Sequence, residues 1–317
     1  MKKLAILAIS ALALTGCSAQ NISLVRLAAH DSFVISDEQI TEFETETGYE
    51  LEIIRLGDTG SLTNQLVLTA NAPVADAFFG IDNTFAGVAA DNDIVEGEMK
   101  AIDYSDVCFN YDLDWFNQST ITPPASWREL GQERYRGLAV LTNPNFSSPG
   151  LAFLATTHAG FSTSPEVSAY WQSIRDNDVK VAGSWEDAYF VDFTRYSGDR
   201  PIVLSYASSP SAEVNDDGSA GSAALRTECF RQIEYAGVLA NADNAPGAES
   251  LVEFLLGDSF QASVPTNMYV YPINDAIEVP ETWAKFAAPA DSLLGEGLEI
   301  NANRNQWLTD WSGLFDD

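Results

Sequence analysis

Five segments of this sequence carry residue types suited to gripping a small polar ring. They are His30-Asp31-Ser32-Phe33, Gly80-Ile81-Asp82-Asn83, Asn143 through Gly150, Gly183-Ser184-Trp185-Glu186-Asp187-Ala188-Tyr189, and Ser205 through Pro210. They supply carboxylates, aromatic faces and small hydroxyls, with no lysine or arginine among them. Aromatic faces hold a cationic ring by stacking and cation–π attraction, worth about 0.5–2 kcal/mol each. Carboxylates accept amino hydrogens and offset positive charge. Helix starts behind Ser148 and Ser209 could hold a phosphate without any arginine. The set suits a flat, cationic, hydrogen-bonding solute. Plainer roles stay open at this point. Asp31 and Asp82 are also good helix caps. Ser148-Pro149 and Ser209-Pro210 are also plain helix starts. Trp185 and Tyr189, four apart, also fit a helix's core face.

Other chemistry is missing. The two histidines, His30 and His158, are far apart, and no Cys/His cluster has metal-ligand spacing. There is no Gly-x-Ser-x-Gly elbow and no glycine-rich phosphate loop. Neither a metal nor a cofactor is expected.

The elements that must position these segments alternate between strand and helix. Leu24–Ala28 reads as a strand. Ser36-Asp37-Glu38-Gln39 is a capping box opening an amphipathic helix through Ile40 and Phe43 to Gly48. Strand 51–56, helix 61–71 and strand 75–80 follow. A second alternating block has strands near 138–141, 179–181 and 201–205, with helices starting near Ser148, Ser164, Ser184 and Ser209. Such alternation implies an α/β fold with largely parallel sheet. Val107–Tyr111 and Cys229–Tyr235 are extended segments between the blocks, and helical patterns at 249–256 and 303–314 end the chain. No Pro/Ser/Gly-rich linker stands mid-chain, which favours a chain that builds half of one lobe, crosses, builds the second, and crosses back. Lobe 1 is then 23–106 plus 236–317, with the C-terminal helices free to pack on either lobe. Lobe 2 is 107–235, with hinge strands at both ends. In open α/β sheets, ligands lie beyond the carboxyl ends of the strands, where the five segments fall.

The N-terminus adds an address. Lys2 and Lys3 precede an apolar run, Leu4–Leu14, too short to span a bilayer stably. Leu14-Thr15-Gly16-Cys17 follows as a bacterial lipobox. The expectation is a signal peptide at 1–16, acylation of Cys17, a tether at 17–22, and a protein anchored by lipid outside the cytoplasmic membrane, or in the periplasm of a two-membrane cell. Cys108 and Cys229 are then an even pair in an oxidising compartment and are expected to form a disulfide across the two crossing segments. The formal charge of −30 excludes binding to nucleic acid or anionic membrane surfaces through long-range attraction.

Six segments in order resemble the thiamine-binding lipoprotein or periplasmic component of bacterial thiamine ABC importers. They are Asp31-Ser32-Phe33, Gly80-Ile81-Asp82-Asn83, Ser147-Ser148-Pro149-Gly150-Leu151, Gly183 through Tyr189, Val203 through Pro210, and Val264 through Pro272. The resemblance implies a two-lobed type II periplasmic-binding-protein fold, each lobe a mostly parallel sheet flanked by helices, closing by hinge motion around thiamine or its phosphates. It implies delivery to the importer's permease subunits. It implies that Asp31 and Asp82 face the ligand, that Trp185 and Tyr206 contact it, and that Ser148 lies near the phosphate end. Ser32, Asn83, Tyr189, Ser208, Tyr269 and Tyr271 complete the expected ligand set. Tyr269 stands where the family often has a tryptophan, so its platform is smaller. The competing readings are a binder of another cationic solute such as a polyamine, a ferric binder, and a thiaminase-like enzyme with Cys108 as nucleophile. Ferric sites in this fold commonly use adjacent tyrosines, and here Ala207 follows Tyr206.

Overall fold

The computed structural model describes residues 23–295 and 297–315. The expected signal peptide (1–16), Cys17 and the tether (17–22) lie outside the described residues. The chain opens with β1 (Leu24–Ala29), α1 (Asp37–Thr47), β2 (Glu50–Arg55), α2 (Thr59–Leu68), β3 (Ala77–Asp82) and α3 (Ala86–Asp91). The capping box forms as the sequence predicts: Gln39 N donates to Ser36 Oγ at 3.3 Å, and Ser36 N donates to Gln39 Oε1 at 3.1 Å. Helix α2 starts two residues earlier than expected because Asp58 caps it, Oδ1 accepting from Thr59 N at 2.7 Å. Strand β3 runs on through Asp82 because Ile81 and Asp82 pair with Tyr235 and Glu234, partners distant in sequence.

A strand of 18 residues, β4 (Val95–Asp112), leaves this half. Then come α4 (Leu113–Gln118), β5 (Ala139–Thr142), α5 (Ser148–Gly160), α6 (Ser164–Asp176), β6 (Lys180–Ala182), β7 (Ile202–Tyr206) and β8 (Ser222–Ala224). The return strand β9 (Cys229–Leu239) is followed by α7 (Ala245–Leu256), α8 (Asp258–Asn267), β10 (Tyr271–Pro272), α9 (Glu281–Phe286), β11 (Ser292–Leu293) and α10 (Ile300–Phe315). The strand order is β2-β1-β3-β9-β4-β7-β5-β6. Strands β1, β2 and β3 are mutually parallel, as are β5, β6 and β7. Between these blocks β9 and β4 run antiparallel to each other and to their outer neighbours. Parallel neighbours need helical crossovers, so each block carries its own helices. Among the described strands, β4 and β9 pass between the two lobes. Cys108 on β4 and Cys229 on β9 are joined by a disulfide, with their Cα atoms 5.0 Å apart.

One core packs Val25, Leu27 and Phe79 against Phe43, Leu251 and Phe260 from α1, α7 and α8. A second, larger core centres on Phe109, Leu141, Phe153 and Trp171. Helix α10 spans the back of both halves. Near its start, Asn301 Nδ2 donates to Asp91 Oδ2 of α3 at 3.0 Å. Further on, Trp307 stacks on His158 of α5 at 4.2 Å, and Trp311 meets Trp171 of α6 edge-on at 6.1 Å. The last helix therefore packs mainly on the second lobe.

Candidate functional site

A cavity of about 230 Å³ lies between the lobes. Its floor is the crossing pair of strands. Ser105 of β4 pairs with Gln232 of β9, and Asp103 pairs with Glu234. Paired residues project to the same face of a sheet, and all four line the cavity. A bulge at Ile102 makes this possible. The register passes from Ala101↔Tyr235 directly to Asp103↔Glu234, so the extra residue turns Asp103 to the face that Glu234 occupies. Asp103 is fully buried, and neither carboxylate oxygen has a hydrogen-bond donor among the described residues. Burial, and then the neighbouring Glu234 carboxylate, raise its pKa well above the usual carboxylate range. Glu234 receives a hydrogen bond from Gln232 Nε2 at 3.1 Å and lies 3.3 Å from His30 Nε2. Burial works to lower the pKa of His30, but the carboxylates of Glu234 and Asp58 together outweigh it and the net shift is upward. Gly80 makes room for this imidazole. It sits in left-handed backbone (φ 97°), and a Cβ there would lie 2.0 Å from His30 Cδ2.

Aromatic residues of the second lobe form one wall. A π-helical turn, Asp187–Asp192, follows Trp185. Its wider i→i+5 spacing sets two rings against one indole. Tyr189 stacks on Trp185 at 5.0 Å, and Phe190 meets it edge-on at 5.6 Å. Tyr206, from the end of β7, lies 5.9 Å from the same ring. Trp185 Nε1 donates to Ser205 Oγ at 3.0 Å, which fixes the indole. Behind the wall, Glu213 Oε1 accepts from Tyr189 Oη at 3.0 Å and from Tyr196 Oη at 2.7 Å. Tyr269 lines the rim from left-handed backbone (φ 56°) and is 39% exposed.

The lobes touch across the cavity mouth. Trp185 N donates to Asp58 Oδ2 at 3.0 Å, Ser32 Oγ donates to Glu186 Oε1 at 3.2 Å, and Gly60 N donates to Phe146 O at 2.9 Å. A Cβ on Gly60 would stand 2.6 Å from Phe146 O, so glycine allows this approach. Asp58 thus caps α2 and latches the second lobe at once. Burial raises its pKa, opposed by the hydrogen bonds it accepts. Ser148, in the first turn of the 13-residue α5, also lines the cavity.

Among the described residues that line the cavity there is no lysine or arginine. Asp58, Asp103 and Glu234 face His30 as its one basic side chain. Such a site stabilises a cation, held flat against the aromatic wall and hydrogen-bonded from the floor.

Of the ligand set expected from the sequence, Ser32, Ser148, Trp185, Tyr189, Tyr206 and Tyr269 line this cavity, as do His30 and Ser209 from the same strand-end segments. Five others are placed elsewhere. Asp31 is exposed, and its Oδ1 accepts from Gly57 N at 3.2 Å, which ties the loop after β1. Asp82 Oδ1 caps the turn after β3, accepting from Thr84 N and Phe85 N, both at 3.1 Å, one strand away from the cavity floor. Asn83 bridges to β9, donating to Arg231 O at 2.9 Å and accepting from Ile233 N at 3.1 Å. Ser208 lies behind Ser105, with the two Oγ atoms 3.0 Å apart. Tyr271 pairs with Tyr104, which neighbours Asp103 along β4 and so points to the opposite face. There Tyr271 stacks on Tyr104 at 5.2 Å and meets Trp283. Ser209 opens a three-residue 3₁₀ turn rather than a helix, and its Oγ lies 2.9 Å from Ser205 Oγ. It offers no helix N-terminus for a phosphate. Cys108 is in the disulfide and has no free thiolate to act as a nucleophile.

Sequence reasoning missed Asp103, Glu234, Gln232 and Asp58, and it named His30 at the end of the first strand without counting it in the ligand set. It searched strand ends, whereas the floor is mid-strand. The available signal was polar alternation, Asp103-x-Ser105 and Gln232-x-Glu234, on two segments otherwise rich in apolar residues.

Comparison with known proteins gives a consistent picture. The family model for bacterial extracellular solute-binding proteins matches residues 78–290. The chain is 26% identical over 288 residues to the thiamine-binding periplasmic protein of Escherichia coli K12, covering 85% of each. It is 26% identical over 337 residues to the thiamine-binding periplasmic protein of Brucella suis biovar 1, covering 98% of each. Among solved structures it resembles a periplasmic thiamin binding protein, with a TM-score of 0.81 at 23% identity, covering 92% of this chain and 96% of that one. The fold is thus the two-lobed type II architecture expected from the sequence.

Proposed function

This chain belongs to the bacterial extracellular solute-binding protein family, and from that premise we propose that it captures thiamine outside the cytoplasmic membrane and delivers it to an ABC importer. The observation that carries the choice of solute is the unpartnered, fully buried Asp103 carboxylate facing an aromatic wall. Thiamine offers a positively charged thiazolium and an aminopyrimidine. In this reading one ring lies against Trp185 and Tyr206, and the Asp103–Glu234 floor receives positive charge and amino hydrogens. The start of α5 at Ser148 is where the phosphate of a phosphorylated form would sit. The permease subunits of the importer are the partner, and acylated Cys17 is the anchor to the membrane. Lobes 23–106 plus 236–317, of which the last helix α10 packs mainly on the other lobe, and 107–235 close on the solute about β4 and β9.

Calorimetry of the purified protein with thiamine, thiamine monophosphate and thiamine diphosphate tests the reading. Sub-micromolar binding of at least one of them is expected. A silent titration with all three, beside clear heat with spermidine, replaces thiamine by a polyamine. Intact-mass measurement of protein extracted from membranes tests the anchor: an N-terminus at Cys17 carrying acyl chains is expected, and an unmodified Cys17 removes it.

A further inference from the structure

The hinge carries more acid than a ligand contact needs. Register pairs Asp82 of β3 with Glu234 of β9, and Glu234 with Asp103 of β4. Three carboxylates therefore lie side by side on one face of three adjacent strands. Like charges directly opposite one another destabilise a sheet, and all three residues are buried. We propose that this row holds a proton in the empty protein and releases it when a cationic ring binds against Asp103, a step that rests on the thiamine reading above only for the identity of the ring.

The surroundings favour this. Asp82 Oδ1 receives Thr84 Oγ1 at 2.7 Å, but its Oδ2 has no partner among the described residues. Glu234 has Gln232 and His30. Asp103 has only its fellow carboxylate. The other groups facing the row are Asp58 from the loop before α2, Tyr206 from β7 and Ser105 from β4; Tyr235, next to Glu234 along β9, points to the opposite face and acts on Asp82 from there. Arg55 is spent on two backbone carbonyls, those of His30 at 3.2 Å and Asp31 at 2.8 Å. Arg231 points to the opposite face of β9, ion-paired with Asp106 at 2.5 Å. His30 thus stands as the one basic side chain against the row and Asp58, and among the described residues no cationic group is paired with Asp103. A proton on the Asp103–Glu234 pair converts repulsion into an O–H···O⁻ hydrogen bond. Burial pushes Asp82 up to about 7 and Asp103 well above the usual range, in the same direction.

The exchange balances. One carboxyl proton leaves to solvent as one positive ring arrives: the row becomes one unit more negative, and the net charge of row and ring together is unchanged. A neutral ring cannot displace the proton. The row therefore selects for charge, and affinity falls as the pH drops through the pair's titration, by about tenfold per pH unit for one linked proton.

The test is calorimetry of thiamine binding at neutral pH in two buffers of different ionisation enthalpy. About one proton released per thiamine bound is expected, with no release from Asp103→Asn. Glu234→Gln serves if Asp103→Asn does not fold. Tight binding by the wild-type protein with no proton release overturns the proposal, as does undiminished release from both variants. If thiamine gives no heat at all, the functional reading fails separately, and infrared spectroscopy of the empty protein decides this one. A protonated-carboxyl C=O band at neutral pH that weakens in Asp103→Asn upholds the shared proton, and its absence from the wild-type protein overturns it.

Discussion

At the scale of single residues, two aspartates near the cavity have separable duties. Asp58 caps α2 and accepts from Trp185 N across the mouth. Asp58→Ala should cost about 1 kcal/mol of stability from the lost cap and also weaken solute binding, because the lobes lose a latch. Asp31 holds only Gly57 N. Asp31→Ala should leave affinity within about twofold, since one exposed hydrogen bond from Gly57 N contributes about 0.5–1.5 kcal/mol to the fold and nothing to the cavity. Melting temperature and affinity measured together on both variants check this. A loss of affinity for Asp31→Ala but not Asp58→Ala would reverse the assignment. Asp82 makes a pH prediction. Its folded pKa is raised to about 7, chiefly by burial. The folded state therefore retains a proton that the unfolded chain loses near the ordinary carboxylate value. The stability this group contributes is fully present below about pH 4, and is lost as the pH rises through about 7. The melting temperature of the empty protein should fall over that window, and Asp82→Asn should flatten the fall.

At the scale of elements, the helix that closes the chain is the most informative. Helix α10 docks through Trp307 on His158 and through Trp311, which is 2% exposed, and Phe315 on Trp171. Truncating Trp311 to alanine should cost about 3–5 kcal/mol, read from chemical denaturation. His158 also makes this docking acid-sensitive. Burial lowers its pKa to about 4. The neutral form is favoured in the fold, so its contribution is present above about pH 6.5 and lost as the pH falls through about 4. Hydrogen exchange over residues 300–315 should accelerate across that interval before exchange in β1 and β3 does. Synchronous acceleration would show that His158 acts on the whole fold instead. The disulfide between β4 and β9 closes a loop with a sequence separation of 121. In the chain-entropy model such a loop contributes up to about 4–5 kcal/mol. Reduction should lower the melting temperature by several degrees, and a shift within error would mean that the unfolded chain gains little from the cut.

At the scale of the whole molecule, closure and charge act together. Contacts such as Gly60 N to Phe146 O exist only when the lobes meet, so a solute that fills the cavity stabilises this arrangement by mass action. At a hundredfold excess over its Kd, thiamine should stabilise the protein by about 2.7 kcal/mol, seen as a rise in melting temperature. A surface of net charge −30 attracts a cationic solute from a distance, so the association rate should fall as salt is added, while a neutral analogue shows no such dependence.

The sequence by itself determined the strand–helix alternation, the capping box at Ser36 and the pairing of the two cysteines, and its resemblance to a known family supplied six of the cavity residues. The first three rest on local signals: apolar periodicity, capping chemistry and cysteine parity. Tertiary structure alone decided the floor. Asp103 and Glu234 become a facing pair only through antiparallel pairing of strands more than a hundred residues apart, and a bulge at Ile102 selects the face on which Asp103 appears. The same register sent Tyr271 to the far side of the hinge and left Asp82 one strand short of the cavity. Side-chain direction in a sheet has a period of two, so a single extra residue reverses it. No local property of Asp103 or Tyr271 records which way that reversal falls.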